Sequence, residues 1–175
     1  MLYYHIDRRG SLQPNTTLNA GFGMSEHGIR YWNRVSVDDF GDFQSFVIEH
    51  LFEEVRLADF PTKPSRFVSF FACTKDTIRP WIDFFGTTFP IYEVCSPVSA
   101  LKADSALLEA FWNDPDGCWF DPGRARIQAR LYWSGRSIRD LYEVYPVPKN
   151  IPPRWEYLLA FPVKILRRAD PSEFQ

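Results

Sequence analysis

The chain has 175 residues, of which 45% are apolar and 17% aromatic, and its formal net charge at pH 7 is −2. This length and apolar content suffice for one well-filled core but not for two comfortable domains, so we expect a single domain over residues 1–175. The small net charge argues against attraction of the whole molecule to polyanions, and no apolar stretch approaches the ~20 residues of a membrane span.

A short β-rich run over residues 2–6 predicts the first strand, which two arginines and a glycine at residues 8–10 end. The same segment carries charge by Asp7 and lacks the long apolar stretch of a signal peptide. We therefore expect a cytoplasmic protein with no membrane partner. Glycine, proline and asparagine then dominate through Gly28, which predicts a long ordered loop.

The middle of the chain predicts two helices and two strands. Apolar residues recur at helical spacing over residues 42–60, and a proline ends this helix. Residues 66–73 are rich in β-branched and aromatic side chains and predict a strand. Residues 75–85 predict a short helix with Pro80 near its start or at a kink, and residues 90–95 predict the next strand.

The last third of the chain predicts one helix and three strands. Residues 104–112 place apolar side chains on one side and predict a helix, which a turn at residues 113–117 ends. Residues 127–133 alternate as I-Q-A-R-L-Y-W and predict a strand with one solvated face. Residues 156–161 and 163–167 predict two closing strands.

This order of elements favours an α+β fold with a mixed or antiparallel sheet and flanking helices. Neither G-x-G-x-x-G nor G-x-x-x-x-G-K-[ST] occurs, which weakens a doubly wound dinucleotide-binding fold and a P-loop. The three cysteines, Cys73, Cys95 and Cys118, form no C-x-x-C pair. They predict reduced, buried thiols and no metal site.

The charges are unevenly distributed along the chain. Residues 124–168 carry ten Lys or Arg against three Asp or Glu, whereas residues 1–123 carry ten against seventeen. One interpretation is a functional basic surface. The alternative is that the arginines of the basic segment lie on exposed strand and loop faces and pair with acids from the first two thirds of the chain. Those arginines are Arg124, Arg126, Arg130, Arg136 and Arg139.

Three separated polar anchors each stand in a strand-like apolar run: YYHID, PSRFVSFFA and RWEYLLAF. Together with IYEV and LYWSG, in this order over about residues 3–168, these motifs resemble a group of bacterial proteins in the ADP-ribosyltransferase superfamily. The resemblance implies an ADP-ribosyltransferase-like split β-sheet core with flanking helices. It also implies a site assembled from a histidine, a serine-aromatic strand and a late glutamate.

The resemblance implies that the chain cleaves the nicotinamide-ribose bond of NAD and transfers ADP-ribose to a protein or a nucleic acid. Glu156 would be catalytic, accepting a hydrogen bond from the ribose 2′-OH and stabilising an oxocarbenium-like charge. His5 would be the second catalytic residue and would place the ligand through a hydrogen bond rather than transfer protons. NAD is then a substrate, and no metal is required.

The NAD-binding residues that the resemblance implies lie on the first two motif strands. Tyr4, Phe70 or Phe71 would stack on the nicotinamide ring. Arg66 would bind the pyrophosphate in a fork geometry, and Ser69 would support the catalytic glutamate. The full set is His5, Tyr4, Ser65, Arg66, Ser69, Phe70 and Phe71.

The acceptor-binding segment that the resemblance implies is the loop before the glutamate strand, residues 135–155. Its candidate contacts are Arg136, Arg139, Tyr142, Tyr145 and Arg154. Members that modify arginine often carry Glu or Gln two positions before the catalytic glutamate, where this chain has Arg154. That difference weakens a protein-arginine acceptor, and the interleaved basic and aromatic residues favour a nucleic acid.

Two alternatives from other classes stay open. A metal-independent endoribonuclease toxin would use His5 and Glu156 as acid and base and would cleave RNA without NAD. Arg66 or Arg154 would then contact the scissile phosphate. A non-catalytic binding module would instead use an aromatic-rich surface. The tryptophans of that surface would be Trp32, Trp112, Trp119 and Trp133. A toxin, effector or defence enzyme would have an antitoxin or inhibitor protein as a further partner.

Overall fold

The computed structural model describes residues 1–21, 23–33, 40–86, 88–109, 120–145 and 151–174. The strands are β1 (Tyr3–Ile6), β2 (Thr16–Leu18), β3 (Ser69–Ala72), β4 (Ile91–Cys95), β5 (Leu101–Asp104), β6 (Trp155–Ala160) and β7 (Val163–Ala169). The helices are α1 (Glu26–Asn33), α2 (Phe40–Asp59), α3 (Arg79–Phe85), α4 (Ala106–Glu109), α5 (Pro122–Trp133) and α6 (Ile138–Leu141). Two 3-10 helices cover Arg66–Val68 and Pro171–Phe174. This is an α+β architecture with flanking helices, as the sequence predicts.

The strands form two antiparallel sheets, with strand orders β1-β4-β7-β2 and β3-β6-β5. In the second sheet, Glu156 on β6 pairs with Ala103 on β5. The two sheets meet where the backbones of Tyr4 and Cys73 exchange hydrogen bonds of 2.7 and 2.8 Å. Strand β1 therefore lies beside the end of β3, and β3 lies beside β6. This order brings the histidine strand and the glutamate strand within two strands of each other.

The largest core lies between α2, α5 and the second sheet. Phe52 on α2 and Trp133 on α5 are both fully buried there, and the Trp133 indole Nε1 donates to the Phe52 carbonyl at 2.7 Å. Burial of each such side chain stabilises the fold by roughly 1.5–3 kcal/mol. Trp133 therefore belongs to the core and not to an exposed aromatic surface. The side chain of Trp32, and residues Trp112 and Trp119, lie outside the described part of the chain.

The sequence predicts a strand over residues 127–133, and this prediction is wrong. These residues form the second half of helix α5. Asp121 caps this helix, because its Oδ1 accepts hydrogen bonds of 2.8 and 3.2 Å from two amides of the first turn, and a proline follows it. Counted from this cap, Ala125, Ala129 and Tyr132 recur at helical spacing and are fully buried. The apparent alternation covers only the last seven residues of this longer helical pattern.

Other elements differ from the prediction in smaller ways. The predicted loop through Gly28 contains β2 and the start of α1. The strand predicted from residue 66 begins with a 3-10 turn, because the Ser65 side chain accepts a hydrogen bond of 3.1 Å inside that turn. Asp104 ends β5 instead of beginning a helix. Residues 110–117, the end of that predicted helix and its turn, lie outside the described ranges.

The remaining elements lie close to their predicted positions. Strands β1, β4, β6 and β7 and helix α2 match within a few residues, whereas α3 begins at Arg79 with a proline in its first turn. Cys73 is a buried free thiol and Cys95 a half-buried one, so full burial holds only for the first; Cys118 lies outside the described part. None of the helices in the described ranges is both long and apolar enough to cross a membrane.

Candidate active site

A cleft of about 860 Å³ opens beside the junction of the two sheets. Its walls include residues of β1, β3, α1, α3 and α4. His5 and Glu156, the two residues predicted to be catalytic, both line this cleft. Aromatic side chains make up much of its surface: Tyr31, Phe70, Phe71, Trp81, Phe84 and Phe85. The fold therefore places an imidazole from its beginning and a carboxylate from near its end around one aromatic hollow.

The carboxylate of Glu156 is buried and is held through one of its two oxygens. Oε1 accepts a hydrogen bond of 2.6 Å from the Tyr132 hydroxyl and a second one from Nη1 of Arg66. Within the described residues, Oε2 accepts no hydrogen bond, although the side chain lines the cleft. The protein thus fixes one oxygen, and the described residues leave the other able to accept a hydrogen bond.

Arg66 is the buried cation that joins two carboxylates. Its Nε and Nη2 donate two hydrogen bonds, of 2.7 and 3.0 Å, to the two carboxylate oxygens of Glu49. Its Nη1 donates to Glu156 and, at 2.5 Å, to the Tyr132 hydroxyl oxygen. Burial alone would lower the pKa of the guanidinium, but Glu156 and Glu49 raise this pKa above its usual value. All three guanidinium nitrogens donate to protein groups, so the predicted pyrophosphate contact does not fit this position.

Glu49 and His27 complete the cluster, and sequence reasoning assigned neither to the site. The Nε2 atom of His27 lies 3.1 Å from Oε1 of Glu49, and the imidazole meets the Phe71 ring edge-on at 4.8 Å. Burial alone would raise the pKa of the Glu49 carboxyl, but Arg66 and His27 together hold this pKa well below its usual value. The one sequence signal is that Glu49 follows Ile48, at the border of the apolar face of α2.

The cluster contains two carboxylates and one guanidinium. Glu49 and Glu156 contribute two negative charges and Arg66 one positive charge, while Tyr132, whose pKa burial raises well above its usual value, stays neutral. The carboxylates therefore outnumber the guanidinium by one in a region shielded from water. Such a site favours a cationic ligand, or positive charge that develops during a reaction.

His5 is held as a neutral hydrogen-bond acceptor. Its Nδ1 lies 2.7 Å from the Phe71 carbonyl oxygen, which can only accept, so Nδ1 carries the proton and Nε2 carries a lone pair. Burial lowers the pKa of the imidazole below its usual value, although the Phe71 carbonyl and nearby acids act in the opposite direction. No partner of Nε2 occurs in the described part of the chain. This nitrogen suits a ligand hydroxyl or amide N–H.

The other predicted NAD-binding residues divide into two groups. Ser69, Phe70 and Phe71 line the cleft, and Phe70 packs against the His5 ring at 4.5 Å. Tyr4, by contrast, contacts Phe174 edge-on at 5.0 Å and does not line the cleft, because neighbouring side chains of a strand point to opposite faces. Tyr4 is therefore not placed to stack on a ligand in this cleft.

The two predicted serines have structural hydrogen bonds. Ser65 donates to Glu53 at 2.9 Å and lies outside the lining of the cleft. Ser69 lines the cleft but donates to the Ser65 carbonyl at 2.7 Å. The predicted support of Glu156 thus comes from Tyr132 and Arg66 and not from Ser69.

Four of the five predicted acceptor contacts lie away from the cleft. Arg136 pairs with Asp140 at 3.1 Å, and Tyr142 and Tyr145 pack against the core of α2 and α5. Arg139 is exposed. None of these four is among the described residues that line the cleft. Residues 146–150 of the predicted acceptor loop lie outside the described ranges.

Arg154, the fifth predicted acceptor contact, is buried directly behind the cleft. Its guanidinium pairs with Glu109 and lies 3.9 Å from the centre of the Phe84 ring, and both of these partners line the cleft. Burial lowers the pKa of Arg154 below its usual value. Arg154 thus packs against two residues of the cleft wall and is not itself among the described residues that line the cleft.

Several arginines of the basic segment form ion pairs at the surface of the protein. Arg126 pairs with Glu54 at 3.3 Å and Arg130 with Asp59 at 2.7 Å, so these arginines meet acids from the first two thirds of the chain. Arg124 is buried. The alternative interpretation of the charge asymmetry therefore holds for Arg126 and Arg130, although both lie on a helix and not on a strand.

The fold and the cleft define an α+β protein with a buried carboxylate-guanidinium cluster, and no group of three metal-ligating side chains converges in the described ranges. The chain belongs to a family described as a protein of unknown function (DUF2441), which matches residues 24–145. The matched region includes Glu49, Arg66 and Tyr132 and excludes His5 and Glu156. No curated protein matches this sequence.

Proposed function

We propose that this protein is a mono-ADP-ribosyltransferase, which cleaves NAD at the nicotinamide-ribose bond and transfers ADP-ribose to a macromolecular acceptor. One observation carries the proposal: the Glu156 carboxylate is held through Oε1 within a buried carboxylate-guanidinium cluster, while Oε2 is left for a ligand in an aromatic cleft. The volume of the cleft, about 860 Å³, lies within the range of small-molecule sites.

The reaction requires stabilisation of positive charge more than proton transfer. Nicotinamide is already cationic in NAD, so the C1′–N bond breaks with its electron pair going to the departing nicotinamide nitrogen. Positive charge then spreads over the ribose ring, as in glycoside hydrolysis. Oε2 of Glu156 accepts a hydrogen bond from the ribose 2′-OH, and the Glu156 carboxylate stabilises the oxocarbenium-like charge. The acceptor forms the new bond to C1′ and releases its proton to water.

The remaining residues bind and orient the substrate. Nε2 of neutral His5 accepts a hydrogen bond from a ribose hydroxyl or from the nicotinamide amide, which fixes the ring that will leave. Phe70 and Phe71 supply aromatic faces beside it. Tyr132 and Arg66 orient Glu156 and touch no part of the substrate.

The structure supports the two alternative functions less well. The endoribonuclease alternative assigns the scissile phosphate to Arg66 or Arg154, yet both of these guanidinium groups are paired with carboxylates. Its general acid would be His5, whose lowered pKa keeps the imidazole neutral at pH 7. A binding module that uses its tryptophans would need them on the surface, and Trp133 is fully buried.

The test is incubation of the purified protein with NAD labelled on the adenylate, together with separate protein and nucleic-acid fractions. We expect free nicotinamide and label in one of the two fractions, and loss of both with Glu156→Gln. RNA cleavage without NAD, or absence of nicotinamide with every acceptor tried, would refute the proposal. Growth arrest on expression, relieved by Glu156→Gln, would mark the enzyme as a toxin, effector or defence protein, for which an inhibitor protein is the expected partner.

A further inference from the structure

One end of the cleft carries three aromatic side chains of α3: Trp81, Phe84 and Phe85, here called the α3 aromatic group. Trp81 and Phe85 stack with ring centres 5.5 Å apart and 26° between their planes, and Phe84 meets Phe85 at 5.0 Å. Phe84 is 54% exposed, more than any other aromatic side chain in the described part of the chain. The group therefore consists of one exposed ring, Phe84, beside two half-buried ones.

The α3 aromatic group is fixed in place next to the catalytic carboxylate. The Trp81 indole Nε1 donates to the Trp155 carbonyl at 2.8 Å, and Trp155 directly precedes Glu156 on β6. Glu109, which also lines the cleft, pairs with the guanidinium behind Phe84. A molecule stacked on these rings would thus lie in the same cleft as Glu156.

Two guanidinium groups flank the rings. Arg154 lies 3.9 Å from the centre of Phe84 and is buried. Arg8 lies 4.7 Å from the centre of Phe85, is exposed, and forms no ion pair with any carboxylate in the described ranges. One face of each ring is therefore already occupied by a cation.

This arrangement selects among the possible acceptors. A cationic side chain, such as a protein arginine, is disfavoured on Phe84, because Arg154 already makes a cation-π contact with that ring and a second cation would be repelled by it. A neutral, flat nucleobase stacks on an aromatic ring without that conflict. The unpaired guanidinium of Arg8 supplies a partner for the phosphate of the same nucleotide. The rings and the cation together match one nucleotide of a single strand.

We propose that the α3 aromatic group is the acceptor platform and that the acceptor is a base of a single-stranded nucleic acid. The transfer step rests on the proposed function, whereas binding of the strand does not require NAD. In the transfer, a lone pair on the base forms the bond to ribose C1′ as nicotinamide departs with its electron pair, and the base loses a proton to water. This places the acceptor on α3 and not on the predicted loop of residues 135–155.

The test is fluorescence anisotropy of a labelled single-stranded 12-nucleotide DNA or RNA with the wild-type protein in the absence of NAD. Phe84→Ala should weaken binding roughly 5-fold to 100-fold, as loss of one base-aromatic stack does. Leu57→Ala, which removes another exposed apolar side chain outside the cleft, should leave the affinity unchanged. Arg8→Ala should weaken binding and reduce its salt dependence, whereas exposed Arg168→Ala should do neither.

Three outcomes overturn the inference. The first is the absence of single-strand binding, and the second is equal affinity of the Phe84→Ala and Leu57→Ala proteins. Tighter binding of a lysine- and arginine-rich peptide than of the oligonucleotide would also overturn it and would favour a protein acceptor. If nicotinamide is released but no strand binds, the platform is refuted and the proposed function stands. If the strand binds at Phe84 but no nicotinamide is released from NAD, the platform stands and the proposed function is refuted.

Discussion

Arg66 and Glu156 form an ion pair across 90 positions of sequence, with 7% and 4% of the two residues exposed. Each buried charge is compensated only by the other and by the groups that bond to it. The pair ties the turn before β3 to the start of β6 and fixes the direction of the carboxylate. Its energetic role and its chemical role can be separated by substitution.

Removal of the shared guanidinium should be strongly destabilising. Arg66→Met leaves Glu49 and Glu156 buried without their cation, which costs roughly 3–5 kcal/mol of the free energy of unfolding. Arg79→Met breaks an exposed pair with Asp83 and should cost at most about 1 kcal/mol. Urea denaturation of both variants checks this. Equal stability of the two proteins would contradict a structural role for the buried pair.

Acid should destabilise the protein through Glu49. Its pKa is lower in the folded protein than in the unfolded chain, where the carboxyl titrates near 4.5. Below this pH the unfolded state binds more protons, so the stabilisation is full above pH 4.5 and is lost as the pH falls further. The free energy of unfolding should therefore fall more between pH 7 and pH 4 in wild type than in Glu49→Gln. The exposed control Glu54→Gln should keep the wild-type dependence.

His5 should also destabilise the protein as the pH falls, and this loss should begin at a higher pH than the loss caused by Glu49. Its pKa is lowered in the folded state, so below about pH 6.5, where the unfolded imidazole titrates, the unfolded chain binds the extra proton. Stability is complete above that pH and decreases as the pH falls toward the folded pKa. His5→Asn keeps a donor for the Phe71 carbonyl but removes Nε2. This variant should lose the change in the free energy of unfolding below pH 6.5, measured by urea denaturation, and should also lose NAD binding, measured by calorimetry.

The Tyr132 hydroxyl should matter for activity as well as for stability. Tyr132→Phe removes a buried group that donates to Glu156 and accepts from Arg66, at a cost of about 1–3 kcal/mol. Tyr142→Phe removes a hydroxyl that donates to the Ile151 carbonyl, away from the cleft. Both variants should unfold at lower urea concentration, but only Tyr132→Phe should slow nicotinamide release. Equal release by the two variants would exclude a positioning role for Tyr132.

The close approach of α1 to the turn before β3 depends on Gly28. A Cβ atom at this position would lie 2.0 Å from the Phe67 carbonyl oxygen, so Gly28→Ala must displace α1. His27 lies on the same helix and would move away from Glu49. We expect a lower melting temperature for Gly28→Ala, whereas Gly21→Ala, with its nearest atom at 4.0 Å, should melt close to wild type. A matching melting temperature for both variants would show that α1 adapts to the added methyl group.

Local sequence patterns predict most of the elements that carry the site. The aromatic run around His5 and the run around Glu156 both form strands, because β-rich segments bounded by turn residues have few alternatives. The error at α5 has a local cause. Residues 127–133 alternate like a strand, but their apolar positions also fit a helix that begins after the Asp121 cap. A segment of seven residues is too short to distinguish a strand period from a helical period.

The interior of the site depends on long-range contacts that no local pattern contains. Arg66 reaches Glu49 across 17 positions and Glu156 across 90, and these partners follow from how α2 and β6 pack. Glu49 stands at the border of the apolar face of α2 and close in sequence to other acids of that helix, yet it is buried. Arg66 has the sequence context of a phosphate ligand, yet Glu49 and Glu156 occupy its donors. Only the folded arrangement decides which charges meet.

The most direct test of the proposed function is the rate of nicotinamide release from NAD at pH 7 by wild type, Glu156→Gln and Glu143→Gln. Glu143 is exposed and does not line the cleft, so its substitution makes the same chemical change outside the site. We predict release by wild type and Glu143→Gln at similar rates and a loss of at least about 100-fold with Glu156→Gln. Release by Glu156→Gln at the wild-type rate, or no release by wild type, would contradict a catalytic carboxylate at Glu156.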